Sequence, residues 1–137
     1  MTSTMPAESA ALRILIVEDE PLIRWAMAET LSGSGHHVAE AGNARQVIEQ
    51  MDRGDRPDVV FLDFRLPDSD DLRLLTAIKQ RAPQCAVVMM TAFATPEMIH
   101  DAEALGAACV LGKPIEMTEL PRLACESSPL WSAAASR

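Results

Sequence analysis

The sequence predicts an α/β fold: a doubly wound, five-stranded parallel sheet with helices on both faces. Three observations predict it. Apolar runs of strand length alternate five times with segments of helical periodicity. The third and fourth runs, Asp58 to Leu62 and Cys85 to Met90, are apolar on both faces. Strands covered by helices on each side have that composition. Several runs also end in charged or hydroxyl residues, and the C-terminal edge of such a sheet is where ligands and chemistry collect.

The first strand, Leu12-Arg13-Ile14-Leu15-Ile16-Val17, runs into Glu18-Asp19-Glu20. Leu22, Ile23, Ala26, Met27, Thr30 and Leu31 then recur at helical spacing and mark the apolar face of a first helix. Pro21 suits its first turn, where a backbone donor has no partner to lose; Gly33 and Gly35 end it. His37 to Ala41 is a short second strand. Ala44, Val47, Ile48 and Met51 mark a second helix, with Asn43 as N-cap and Gly54 as its stop. Leu72, Leu75 and Ile78 mark the third helix, capped by Ser69 or Asp70 and closed by Pro83. The fourth strand, Cys85 to Met90, ends at Thr91. Thr95-Pro96-Glu97 opens the fourth helix, whose Met98, Ile99, Ala102 and Leu105 face the sheet before Gly106. A fifth strand, Ala108 to Leu111, leads through Gly112 to Lys113-Pro114. The fifth helix begins near Thr118-Glu119, with Met117, Leu120, Leu123 and Ala124 as its apolar face. Pro121 falls in its first turn and costs little there; Pro129 soon ends it. Right-handed crossovers give the flavodoxin-like strand order 2-1-3-4-5, with the switch point between strands 1 and 3, beside Asp19 and Asp63.

A chain of 137 residues is one domain, here expected over 12–126, and it can bury a core without staples. Residues 1–11 and 127–137 read as flexible tails, with Trp131 placed to tack the second onto the body. Only 24 residues follow Lys113, so no effector domain is expected there. The start lacks a basic, apolar signal segment, no run is long enough to span a membrane, and the expected compartment is the cytoplasm. A net charge of -8 with no Lys or Arg cluster argues against a nucleic-acid partner. Cys85, Cys109 and Cys125 lack metal or redox spacing, and the first and second of these read as small buried hydrophobes. His36, His37 and His100 have no helical i, i+4 partner, so a zinc site is not expected.

Glu18, Asp19 and Asp63 converge on one rim in this topology. Like charges that close oppose folding unless a cation intervenes, and hard oxygen donors at an open site suit Mg²⁺. Asp19 and Asp63 end buried central strands, whereas Glu20 reads as a solvent-facing loop carboxylate. A carboxylate beside Mg²⁺ can attack phosphorus in line. Thr91 can donate to one phosphoryl oxygen and Lys113 can neutralise another. Lys113 is one of two lysines against ten arginines, and a compact ammonium suits a crowded phosphate site. Lys113-Pro114 also admits a cis peptide, an isomer that sequence leaves open.

These residues resemble the receiver domain of bacterial two-component response regulators. The likeness runs from Leu12 to about Ala124 and rests on four motifs in order: Ile-Leu-Ile-Val-Glu-Asp-Glu-Pro, Phe-Leu-Asp-Phe-Arg-Leu-Pro-Asp, Met-Met-Thr-Ala-Phe and Leu-Gly-Lys-Pro. The text around Thr91 to Glu97 looks most like receivers of the nitrogen-regulator group. The resemblance implies that Asp63 is the phosphoacceptor and that Glu18, Asp19, Asp63 and the backbone carbonyl of Arg65 hold Mg²⁺. It implies Thr91 and Lys113 as phosphoryl contacts, and a sensor histidine kinase or phosphotransfer protein as donor. The chain would be a phosphoacceptor signalling domain that promotes its own phosphorylation and dephosphorylation, not an enzyme with a separate substrate. It would act as a monomer or weak dimer, by contact with an output protein or by phosphorelay.

The sequence departs from that family pattern at four places. Val110 stands where the switch residue is usually aromatic, and valine is too small and stiff to report a moving hydroxyl strongly. Glu18 replaces a common Asp. Asp71 replaces a usual Gly and would tolerate φ > 0 there better than most residues. The fifth helix is short. Val110, Pro121 and that helix lie on the usual output face, so an altered partner surface is expected. Arg65 is either a loop cation in solvent or a side chain leaning over the site to slow water attack. A competing reading is a non-phosphorylated pseudo-receiver that binds partners; Val110 favours it, while Asp19, Asp63, Thr91 and Lys113 together oppose it. A phosphatase would need a general acid where Arg65 stands.

Overall fold

The computed structural model describes residues 11–128. Most of the two expected tails, Trp131 and Pro129 included, lie outside the described residues. Strands β1 (Arg13–Val17), β2 (His37–Ala41), β3 (Val59–Asp63), β4 (Ala86–Thr91) and β5 (Cys109–Gly112) form one parallel sheet in the order β2-β1-β3-β4-β5. Helices α1 (Pro21–Gly33), α2 (Ala44–Asp52), α3 (Arg73–Arg81), α4 (Pro96–Ala104) and α5 (Leu120–Ser127) complete the fold, with a 3₁₀ turn at Met117–Glu119. No helix among the described residues is long and apolar enough to cross a membrane.

Alternate residues of each strand feed opposite cores. Leu15, Val17, Val60, Leu62, Val87 and Met89 pack with α2, α3 and Ala102 of α4. Ile14, Ile16, Val59, Phe61, Val88 and Met90 pack with Met27 and Leu31 of α1 and with Leu120 and Ala124 of α5. Burying each such side chain stabilises the fold by roughly 1.5–3 kcal/mol. A one-residue slip of β3 would exchange its two buried faces, so packing locks its register. That register pairs Asp63 with Met90, and β4 pairs Thr91 with Gly112. Strands β3, β4 and β5 each run one residue beyond their apolar text. Asp63 and Thr91 are therefore the last ladder residues and not loop residues.

Several local expectations need correction. Leu22 (78% exposed) and Ile23 (39%) do not join the core; α1's buried stripe begins at Met27. At 3.6 residues per turn Leu22 falls about 140° around α1 from Met27, off that stripe, and Ile23 precedes Met27 by a full turn. Leu105 is 44% exposed because it follows α4 in a non-helical conformation and turns outward before Gly106, at φ +109°. Neither Ser69 nor Asp70 caps α3. Ser69 instead exchanges backbone bonds with Leu66, and Asp71 Oδ1 accepts the Arg73 N–H at 2.9 Å. Asp71 is not in the left-handed region, since no described non-glycine residue has positive φ. Cys85 is buried, with burial pushing its thiol pKa up, but Cys109 is only half-buried.

His36 closes the β1 entrance. Its Nδ1 accepts the Leu12 N–H at 3.0 Å, and the next residue, His37, donates its N–H to the Leu12 carbonyl at 2.8 Å. Burial first, then neighbouring His37, hold the His36 pKa below its ordinary 6.5. The fold therefore binds the neutral ring, while the unfolded chain takes up a proton below 6.5. Stability from this residue is complete above the unfolded value and is lost as pH falls through it toward the folded one. For one proton the slope is bounded by about 1.4 kcal/mol per pH unit. Urea melts of native protein and His36→Gln, compared from about pH 7.5 to 5, should show a shallower loss on acidification in the variant. Parallel pH dependences would refute the assignment.

Candidate functional site

The site forms where β1, β3, β4 and β5 end together. One carboxylate oxygen each from Glu18, Asp19 and Asp63 can be chosen so that all lie within 4.8 Å of one another. Glu18 is 1% exposed and Asp63 4%, while Asp19 opens to solvent. Among the described residues this is the only group of three or more metal-capable side chains. The cleft over it, about 410 Å³, is also lined by Glu20, Arg65, Thr91, Phe93 and Lys113.

Lys113 answers the buried charge. Its Nζ lies 2.8 Å from Asp63 Oδ2 and 3.3 Å from Glu18 Oε1. Burial alone would lower the Lys113 pKa, but the Asp63 hydrogen bond and charge, then Glu18, raise it above its ordinary value. Glu18 is pushed up, chiefly by burial and further by Asp63, although the Glu20 N–H and Lys113 work against that. One ammonium thus leaves three clustered carboxylates short of positive charge. The Lys113 N–H donates to the Thr91 carbonyl at 2.8 Å, which ties β5 to β4 at the rim, and the Lys113-Pro114 bond is cis.

The other residues are held by local backbone bonds. The Arg65 N–H donates to Asp63 Oδ1 at 3.1 Å, while the Arg65 side chain is exposed. The Glu20 N–H donates to Glu18 Oε2 at 3.1 Å, and Glu20 itself is exposed. Thr91, 5% exposed, accepts the Phe93 N–H at 3.2 Å on its hydroxyl oxygen, which leaves the O–H proton available to donate. Val110 does not reach the cluster. It pairs with Met89 and packs, half-buried, on the α2–α3–α4 side of the sheet.

Two further residues tie together the backbone around the site without any local sequence signature. Asp68 accepts the N–H groups of Ala44 and Arg45, at 2.8 and 3.1 Å, and those bonds lower its pKa. It thereby fastens the loop after Asp63 to the start of α2. Arg24 donates to the Glu18 carbonyl at 2.7 Å and to Glu40 Oε1 at 3.1 Å. Both partners lie outside α1, and periodicity reports only on an element's own faces.

Known proteins resemble this one over most of its length. The sequence model of the response regulator receiver domain matches residues 14–124. Sporulation initiation phosphotransferase F of Bacillus subtilis (strain 168) is 31% identical over 120 residues, covering 88% of this chain and 96% of that protein. DNA-binding transcriptional regulator NtrC of Escherichia coli (strain K12) is 35% identical over 106 residues, 77% of this chain but 22% of that protein. The chain thus spans about a fifth of that second relative. A CheY-like receiver domain protein from Methanospirillum hungatei JF-1 superposes with a TM-score of 0.82, covering 91% of this chain and 99% of that one. At 23% identity that last likeness speaks for the fold.

Proposed function

This chain belongs to the response regulator receiver family, and from that premise we propose that Asp63 accepts a phosphoryl group in a Mg²⁺-dependent reaction. The observation that carries the proposal is the pairing of a buried carboxylate at a strand end with Lys113 Nζ at 2.8 Å, inside a cluster of three acids. The donor set fits Mg²⁺: all oxygen, open on one side, and short of positive charge. Glu18, Asp19, Asp63 and the backbone carbonyl of Arg65 would hold the ion. When bound, Mg²⁺ supplies charge neutralisation to the transferring phosphoryl oxygens.

The chain's own residues do the rest. An Asp63 oxygen forms the new O–P bond as the N–P bond of a phosphohistidine breaks, and the electron pair leaves with the imidazole. Lys113 exchanges part of its contact with Asp63 for a phosphoryl oxygen, and the Thr91 hydroxyl donates to another. The donor is a sensor histidine kinase or a phosphotransfer protein. The coverage of the sporulation phosphotransferase supports onward transfer or signalling by protein contact. The chain acts as a phosphoacceptor, not as an enzyme on a separate substrate. With Val110 half-buried at the switch position, output runs through an altered surface around β5.

Intact-mass analysis after exposure to a small acyl phosphate should show one phosphoryl adduct with Mg²⁺ and none with a chelator. An adduct indifferent to the chelator, or mapped to a residue other than Asp63, would sink the proposal.

A further inference from the structure

Arg24 reaches out of α1 in two directions. Its Nη1 donates to the carbonyl of Glu18 at 2.7 Å, and its Nε pairs with Glu40 Oε1 at 3.1 Å. Glu40 sits on β2, where its own carbonyl accepts from Gln50 Nε2 at 3.0 Å. The guanidinium therefore spans from the first helix to the second strand across the end of β1. Gly42 lies against it: a Cβ there would meet Nη1 at 3.2 Å, and the guanidinium would have to shift by a few tenths of an ångström.

The segment so gripped carries two of the three clustered carboxylates. The Glu18 N–H donates to the Ala41 carbonyl at 3.1 Å, and the Arg24 N–H donates to the Glu20 carbonyl at 2.9 Å. The Glu20 N–H returns to Glu18 Oε2. Within this closed set Arg24 is, among the described residues, the side chain that donates to the segment's main chain. The oxygen it grips belongs to the Glu18–Asp19 peptide, and the Asp19 side chain beyond it is exposed.

An arginine on a helix surface beside a glutamate is ordinarily a weak ion pair. Two facts separate Arg24 from that case. Its side chain is only 24% exposed, and its shorter bond goes to a main-chain carbonyl and not to the carboxylate. We infer that Arg24 is a positioning residue of the cation site: its guanidinium, braced by Glu40, sets the Glu18–Asp19 peptide and so the aim of both carboxylates. This rests on reading the acidic cluster as a Mg²⁺ site.

Calorimetric titration with MgCl₂ tests it on the native chain, Arg24→Gln, Arg24→Lys and Glu40→Gln, with urea melts on each. Arg24→Gln should weaken Mg²⁺ about tenfold, as loss of a charge-assisted hydrogen bond at a ligand segment would. Arg24→Lys keeps the charge but lacks the rigid, planar fork that reaches both acceptors, and should fall between. Glu40→Gln should weaken Mg²⁺ by about threefold, because the brace loosens while the main grip remains. A surface ion pair would shift the melts and leave Mg²⁺ affinity alone. A folded Arg24→Gln with native affinity overturns the inference. Should that variant fail to fold, unchanged affinity in Glu40→Gln overturns it instead. A native chain that binds no Mg²⁺ would sink the cation site itself, and this role with it.

Discussion

Asp63→Asn should abolish the phosphoryl adduct entirely under conditions that label the native chain. The substitution keeps the shape of the side chain at the last ladder position of β3. An amide oxygen can still accept the Arg65 N–H or the Lys113 ammonium, so the fold should persist with native circular dichroism. What is lost is the nucleophile, since an amide has no anionic oxygen to attack phosphorus. The neighbouring acids are poor substitutes. Glu18 is 1% exposed and already engages Lys113 and the Glu20 N–H, and Asp19 opens to solvent in the turn after β1. A full adduct surviving in Asp63→Asn would move the acceptor elsewhere and overturn the proposed function.

Lys113→Met should destabilise the chain by roughly 2–3 kcal/mol without divalent cation at about pH 8. Breaking a buried pair costs more than making it gains, because the partners stay buried and uncompensated. Lys113 is about a quarter exposed, at 26%, which puts the figure below the full cost of a dry ion pair. The pH dependence has a definite sign. Glu18 already titrates above its ordinary value, mainly through burial, and losing the ammonium raises it further. The folded variant then holds a proton that the unfolded chain has released above 4.5. Stability must therefore fall as pH rises through that window, and the deficit should shrink on acidification toward about pH 5. A cation that binds only the folded state restores stability by mass action. Urea melts at both pH values, with and without MgCl₂, check all of this. A deficit independent of pH and of MgCl₂ would mean that Lys113 is not balancing the buried acids.

The topology was legible because β3 and β4 are apolar on both faces, and only a covered parallel sheet explains that. The rim was legible for the same reason: Asp63 and Thr91 stand where apolar text stops, so strand ends announce themselves. Leu22 and Ile23 misled because helical periodicity does not show at which turn burial begins, and Leu105 because it does not show where the helix ends. Arg24 and Asp68 were silent for a different reason. Each bonds to main chain of another element, 6 residues away for Glu18 and 24 for Ala44. A main-chain acceptor or donor is the same whatever residue carries it, so no pairing of residue types marks the contact. The Lys113 isomer and the half-burial of Cys109 likewise depend on surroundings that no local pattern encodes.

The uneven covering of the sheet has an energetic consequence. Every residue of β3 and β4 is buried, whereas none of β5 is, and α4 contributes Ala102 as its single buried residue. Free energy of local opening follows buried apolar contact, so it is unequally shared across this domain. Amides of β3 should exchange with solvent only through global unfolding, and those of α4 through much cheaper excursions. Asp63, the proposed phosphoacceptor, is thus mounted on one of the two fully buried strands, while the far edge costs little to displace. A displacement confined to that far edge would leave Asp63, at the end of β3, where it stands.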